Sequence, residues 1–199
     1  MTAPLVVACG ALVSELRAVL AADHLADHVE VRYLPANLHN RPERIVPALR
    51  ELLADQPADR EVLFGYADCG TGGELDRLLD ELPNARRLPG SHCYEFFAGT
   101  AVFEALHDAE PGTFYLTDFL AKHFEALVWQ GLGLDRHPEL RDAYFGNYRR
   151  VVLLSQAADP AVEAAARRGA DQLGLAFEHR HVGLEPFARA VTLTVRRAA

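Results

Sequence analysis

Three cysteines are the only thiols in the chain, and each lies in a glycine-containing segment that reads as the end of a core element. They are Ala8-Cys9-Gly10, Asp68-Cys69-Gly70-Thr71-Gly72-Gly73 and Gly90-Ser91-His92-Cys93-Tyr94. Three thiolates, Cys9, Cys69 and Cys93, suit a Zn²⁺ ion or an iron–sulfur cluster with one iron left open; His92 or His39 can replace one of them. A closed four-ligand site would be structural, and an open one catalytic. The spacing matches no C-x-x-C ribbon or finger, so a metal site requires the fold to bring the cysteines together. A second chemistry needs no metal. A thiolate at Cys69 would gain from a following helix N-terminus, with His92 or His39 as general base and Asp68 orienting an imidazole or capping the turn. Cys9 and Cys69 facing each other could also shuttle protons at a substrate carbon. In a third reading the backbone N–H groups of Gly70, Thr71, Gly72 and Gly73 cradle a phosphate or carboxylate without turnover. That run lacks the lysine of a P-loop and the spacing of a dinucleotide fingerprint.

Each of these readings competes with a plainer one. Free cysteine is often a small buried hydrophobe. Asp68 as a turn cap is the simpler role for that carboxylate. Glu95 opens a helix, where a negative charge is favoured anyway. Tyr94, Phe96 and Phe97 suit core or pocket wall, and Asp118 with Lys122 is an ordinary i, i+4 pair. His179 and His181 alternate on one strand face as two metal ligands can, but without a third partner they read as solvated.

The elements that must position these residues are strands alternating with helices. Pro4–Ala8 and Val29–Tyr33 read as the first two strands. Val62–Gly65 is the third and feeds the cysteine turn, with a helix from Glu74 behind it. Ala85–Leu88 is a short fourth strand, and the loop from Pro89 passes into a helix reaching His107. Thr113–Leu116, Val151–Leu154 and Leu175–Val182 follow, and the period-two run Val191–Val195 closes the chain as a last strand. Asp159-Pro160 opens a helix that Gly174 ends. This alternation predicts a three-layer α/β/α fold around a mostly parallel sheet, with an antiparallel edge where the last two strands follow too closely for a crossover. Residues 1–199 fit one domain, with a weak two-half organisation at 1–112 and 113–199. Ligands of such sheets sit beyond the carboxyl ends of the strands, so Cys9, His39, Cys69, His92, Cys93 and Thr117-Asp118 are all expected at one rim.

Composition narrows the partners. The 199 residues are 50% hydrophobic and 24% charged, as in ordinary globular chains, and the net charge of −8 argues against a nucleic-acid surface. No apolar run approaches a membrane span and no signal peptide is legible, so the expected location is the cytoplasm with reduced thiols. A small-molecule substrate is the expected partner, and a homo-oligomer is compatible with all of this.

At Ala8-Cys9-Gly10, Asp68-Cys69-Gly70-Thr71-Gly72, His92-Cys93-Tyr94-Glu95-Phe96-Phe97-Ala98-Gly99 and Tyr115-Leu116-Thr117-Asp118-Phe119 the sequence resembles family 1638 of the domains of unknown function. The resemblance runs from Val6 to about Ser155 and implies no established activity. Relatives in methanogens are associated with corrinoid-dependent methyl transfer, which implies one-carbon metabolism by context. The leading expectation is a metal-dependent enzyme, a transferase or lyase, whose Cys9, Cys69 and Cys93 hold zinc or an iron–sulfur cluster. The alternatives are a non-catalytic metal- or cofactor-binding accessory protein and metal-free thiolate catalysis.

Overall fold

The computed structural model describes residues 3–198, with side chains through residue 195. Its contacts divide the chain into two compact units, Met1–Phe96 with Glu185–Ala199, and Phe97–Leu184.

The first unit is built on a four-stranded sheet of order β2-β1-β3-β4: β1 Leu5–Cys9, β2 Glu30–Leu34, β3 Val62–Gly65 and β4 Ala85–Arg87. Every pairing is parallel, with Val6 opposite both Val31 and Leu63. Helices α1 (Val13–Ala22), α2 (Ile45–Leu53) and α3 (Glu74–Glu81) connect the strands, and α4 (Cys93–Ala98) follows β4. Both faces of β1 and β3 are apolar because both are covered. Leu5, Val7, Val62, Phe64 and Tyr66 pack with Ile45, Leu49, Leu75 and Leu78 of α2 and α3, while Val6, Ala8 and Leu63 are buried on the other face. Gly65 allows β3 its approach to β1, since a Cβ there would lie 2.7 Å from that of Ala8.

The chain closes differently from the expectation. Val191–Val195 is not a strand but the middle of a helix, Glu185–Ala198, that packs against β3 and α1. The β-branched run Val-Thr-Leu-Thr-Val mimics strand alternation. Yet its buried residues Phe187, Val191 and Val195 stand at i, i+4 and i+8, and Leu193 is 54% exposed. The expected antiparallel edge disappears with that strand.

The second unit carries a parallel sheet of order β5-β6-β7: β5 Thr113–Thr117, β6 Arg150–Ser155 and β7 Ala176–His181. Its helices are α5 (Thr100–Ala109), α6 (Asp118–Lys122, followed by a π-helical turn), α7 (Leu140–Phe145) and α8 (Pro160–Leu173). Helix α8 begins as expected, with the Asp159 carboxylate accepting the Ala161 N–H at 2.9 Å, and ends at Gly174 with a positive φ. Its buried stripe Val162, Ala166, Gly169, Ala170 and Leu173 faces Leu116, Phe124, Val151 and Leu153. The α/β class therefore holds, with the strands shared between two parallel sheets. Among the described residues no helix is long and apolar enough to cross a membrane.

Candidate functional site

The turn after β3 is held by its own carboxylate. Asp68 accepts the Thr71 hydroxyl at 2.7 Å, the Gly73 N–H at 2.9 Å and the Gly72 N–H at 3.2 Å. The anion cradled by this glycine run is thus Asp68 itself, and Thr71 passes the arrangement on by accepting the Leu75 N–H of α3. Burial alone would raise the Asp68 carboxyl, but the Thr71, Gly73 and Gly72 hydrogen bonds and the nearby Arg87 charge hold it below its ordinary value. Winding so tightly needs positive φ at Gly70, Gly72 and Gly73, and also at Cys69, with φ of 50°. A non-glycine residue held there is uncommon.

A second loop is clamped against this turn. Asp68 and Cys69 donate their N–H groups to the carbonyls of Gly90 and Ser91, at 3.2 and 2.8 Å. The Arg87 guanidinium donates to the carbonyls of Leu88 and Gly90 while pairing with Asp76 at 2.6 Å. The Glu95 carboxylate accepts the Ser91 N–H at 2.9 Å. This clamp brings the loop of Cys93, the first residue of α4, against the Cys69 turn, and the two thiols influence each other's ionisation. That interaction is the largest influence on both groups. It lowers the Cys69 pKa, and it raises that of Cys93 well above the usual thiol value, with burial adding to the rise. Both sulfurs belong to half-buried residues.

Cys9 is engaged differently. Its sulfur accepts the Ala11 N–H at 3.5 Å, capping the short 3-10 turn Gly10–Leu12, and burial pushes its pKa up to about 11. The Tyr66 hydroxyl lies near it; Tyr66 is 2% exposed, and among the described residues its hydroxyl has no hydrogen-bond partner. Burial, then the Cys9 and Cys69 sulfurs, raise the Tyr66 pKa. His39 sits in the 3-10 turn Ala36–Asn40, and desolvation followed by the His92 imidazole lowers its pKa. His92 itself is exposed, its ring 6.4 Å from that of Tyr94.

The expected metal centre is not formed. Among the described residues no group of three or more His, Cys, Asp or Glu is placed to hold a metal ion. Cys9 caps its own turn, Cys69 and Cys93 are engaged with each other, and His92 faces outward, so Cys9, Cys69 and Cys93 do not constitute a zinc or iron–sulfur site. This arrangement does not support the metal-dependent enzyme expected from them.

The second unit holds what the sequence concealed. Asp118, 4% exposed, accepts the N–H groups of Gln156 and Ala157 at 3.2 and 2.8 Å, tying the end of β5 to that of β6. His179 and His181 are exposed, as expected of solvated histidines, and both also reach Ser155: its hydroxyl lies 2.8 Å from His179 Nε2 and 3.0 Å from His181 Nδ1. The two-residue spacing on β7 was visible, but the partner at the end of β6 follows only from register, which sets Ser155 opposite His181. Tyr66 and Arg87 carried no sequence signal beyond those of a core aromatic and a surface cation.

A protein-family model described as "Protein of unknown function (DUF1638)" matches residues 33–191. Its description assigns no activity, and the methyl-transfer context implied by the resemblance gains no support from it. No curated protein matches the chain. No solved structure matches it either.

Proposed function

The chain belongs to the DUF1638 family, whose model spans both Cys69 and Cys93 and leaves Cys9 outside, and from that premise we propose that its first unit carries a dithiol site for thiol–disulfide exchange with a low-molecular-weight disulfide. One observation carries the reading: the Cys69 N–H donates to the Ser91 carbonyl at 2.8 Å, which holds the loop of Cys93 against the Cys69 turn, where the two thiols differ in their readiness to ionise. Exchange begins with a thiolate, and Cys69 is the one its surroundings favour. Arg87 adds a nearby positive charge, and the Tyr66 hydroxyl is a buried donor beside the sulfurs.

In the first step the Cys69 thiolate attacks one sulfur of the substrate disulfide. A Cys69–substrate disulfide forms, the substrate S–S bond breaks, and one substrate thiolate leaves. Cys93 gives its proton to that thiolate and attacks the Cys69 sulfur, displacing the second substrate thiolate. Two protein thiols become one disulfide, and the substrate disulfide takes up their two electrons. The half-buried sulfurs favour a small substrate, and a reducing compartment such as the cytoplasm is where the dithiol would be regenerated.

Mixing the reduced protein with an aromatic disulfide that releases a coloured thiolate tests this. Release of two thiolates per chain with a Cys69–Cys93 bond in the digest supports the proposal. A stable mixed disulfide at Cys69, with no Cys69–Cys93 bond, overturns it.

A further inference from the structure

At the carboxyl end of the second sheet, Ser155, His179 and Glu163 stand in a row, the first two within hydrogen-bond distance and the last two within ion-pair distance. The Ser155 hydroxyl is 2.8 Å from His179 Nε2, and His179 Nδ1 is 3.1 Å from Glu163 Oε2. The other Glu163 oxygen accepts from Arg167 at 3.0 Å, which fixes the carboxylate. A carboxylate only accepts, so His179 carries its proton on Nδ1, and Nε2 presents a lone pair to the Ser155 O–H. The Ser155 oxygen then accepts from His181 Nδ1–H at 3.0 Å. The three elements, β6, β7 and α8, thus put a hydroxyl against a base, a carboxylate behind that base and a second N–H on the oxygen. This is the arrangement that activates a serine nucleophile on several unrelated folds.

We propose that Ser155 is an acyl acceptor for small activated esters, with His179 as its general base, Glu163 as the residue that orients His179, and His181 as the donor to the developing alkoxide. Ser155 attacks the carbonyl carbon, the Oγ–C bond forms, and the bond to the leaving alkoxide breaks. The hydroxyl proton passes to His179 Nε2 and on to the alkoxide, which leaves as the alcohol. Water then hydrolyses the acyl-serine, giving its proton to His179, which returns it to Ser155. The Gln156 and Ala157 N–H groups, the nearest main-chain donors along the chain, are committed to Asp118. Deacylation therefore has no main-chain oxyanion donor from that turn and is slow. With Ser155 only 2% exposed, bulky acyl groups are excluded.

The test is a short-chain alkyl fluorophosphonate applied to the full-length protein. Its phosphorus takes the serine oxygen while fluoride leaves, and the proton follows through His179. Phosphonylation at Ser155, one adduct per chain, supports the proposal. It should fall by roughly a hundredfold in His179→Gln. No adduct at Ser155, or equal labelling in His179→Gln, overturns it. Because the readout is a mapped adduct on the native chain, the outcome does not depend on whether Ser155→Ala folds.

Discussion

The Cys69 N–H donates to the Ser91 carbonyl at 2.8 Å, holding the loop of Cys93 against the Cys69 turn, and the interaction of the two thiols lowers the Cys69 pKa while raising that of Cys93. Alkylation with iodoacetamide at neutral pH should therefore modify Cys69 before Cys93 or Cys9. Cys93→Ala removes that interaction, so the Cys69 pKa rises and its alkylation at neutral pH slows, about tenfold for each unit of rise. The pH midpoint of the Cys69 rate, followed by peptide mapping, checks this; an unmoved midpoint would refute the role given to Cys93.

Asp68 supplies the acceptor for two backbone N–H groups and a hydroxyl. Asp68→Ala leaves them without it and should cost about 1 kcal/mol, with urea unfolding as the measurement. The pH dependence has a definite sign. The folded-state pKa is depressed, so the stabilisation is complete above the ordinary carboxyl value of 3.8 and is lost as pH falls from there through the folded value. The native chain should consequently show an acid limb that is shallower in Asp68→Asn. Equal limbs in the two chains would refute it.

Much of the fold was legible because buried parallel strands read as short apolar runs. Val62–Gly65 stands where the pattern puts it, and so does the helix that Asp159-Pro160 opens. The last helix was hidden by the alternation of Val191–Val195, which conceals the buried stripe Phe187, Val191 and Val195. The single helix expected up to His107 is broken at Gly99, whose φ of 81° no helix interior adopts. In the candidate site, residue types were visible and pairings were not. The contact of Cys93 with Cys69 depends on Arg87 and two main-chain hydrogen bonds that clamp one loop on another. Ser155 resembled any strand end until register set it under two histidines.

Gly65 lies directly opposite Ala8 in the β1–β3 pairing, where an added methyl would stand 2.7 Å from the Ala8 Cβ and 3.2 Å from its Cα. The obstruction is another strand, so it cannot swing aside. Gly65→Ala should destabilise by about 1–3 kcal/mol and slow disulfide exchange, because β3 leads into Tyr66 and the Cys69 turn. Urea midpoints and the two-thiolate release assay measure the two effects, and Gly72→Ala separates them. Nothing lies within 4 Å of a Cβ at Gly72, so any loss there comes from its positive φ of 63° and not from crowding.

Asp118 joins two strand ends through a carboxylate that is almost wholly buried, and its own N–H donates to the Gln156 side chain at 3.1 Å. Removing the carboxylate leaves the Gln156 and Ala157 N–H groups without that acceptor, at a cost of about 1–3 kcal/mol for each group left unsatisfied. Asp118→Ala should therefore lower the urea midpoint far more than Asp135→Ala, an exposed position where changes stay within about 0.5 kcal/mol. Asp118→Asn keeps an acceptor oxygen and should lose less. The same substitution reaches Ser155, which immediately precedes Gln156 in the chain. If Asp118 holds that strand end in place, Asp118→Ala slows phosphonylation of Ser155 while Asp118→Asn largely preserves it; equal rates in all three chains would confine Asp118 to a purely structural tie.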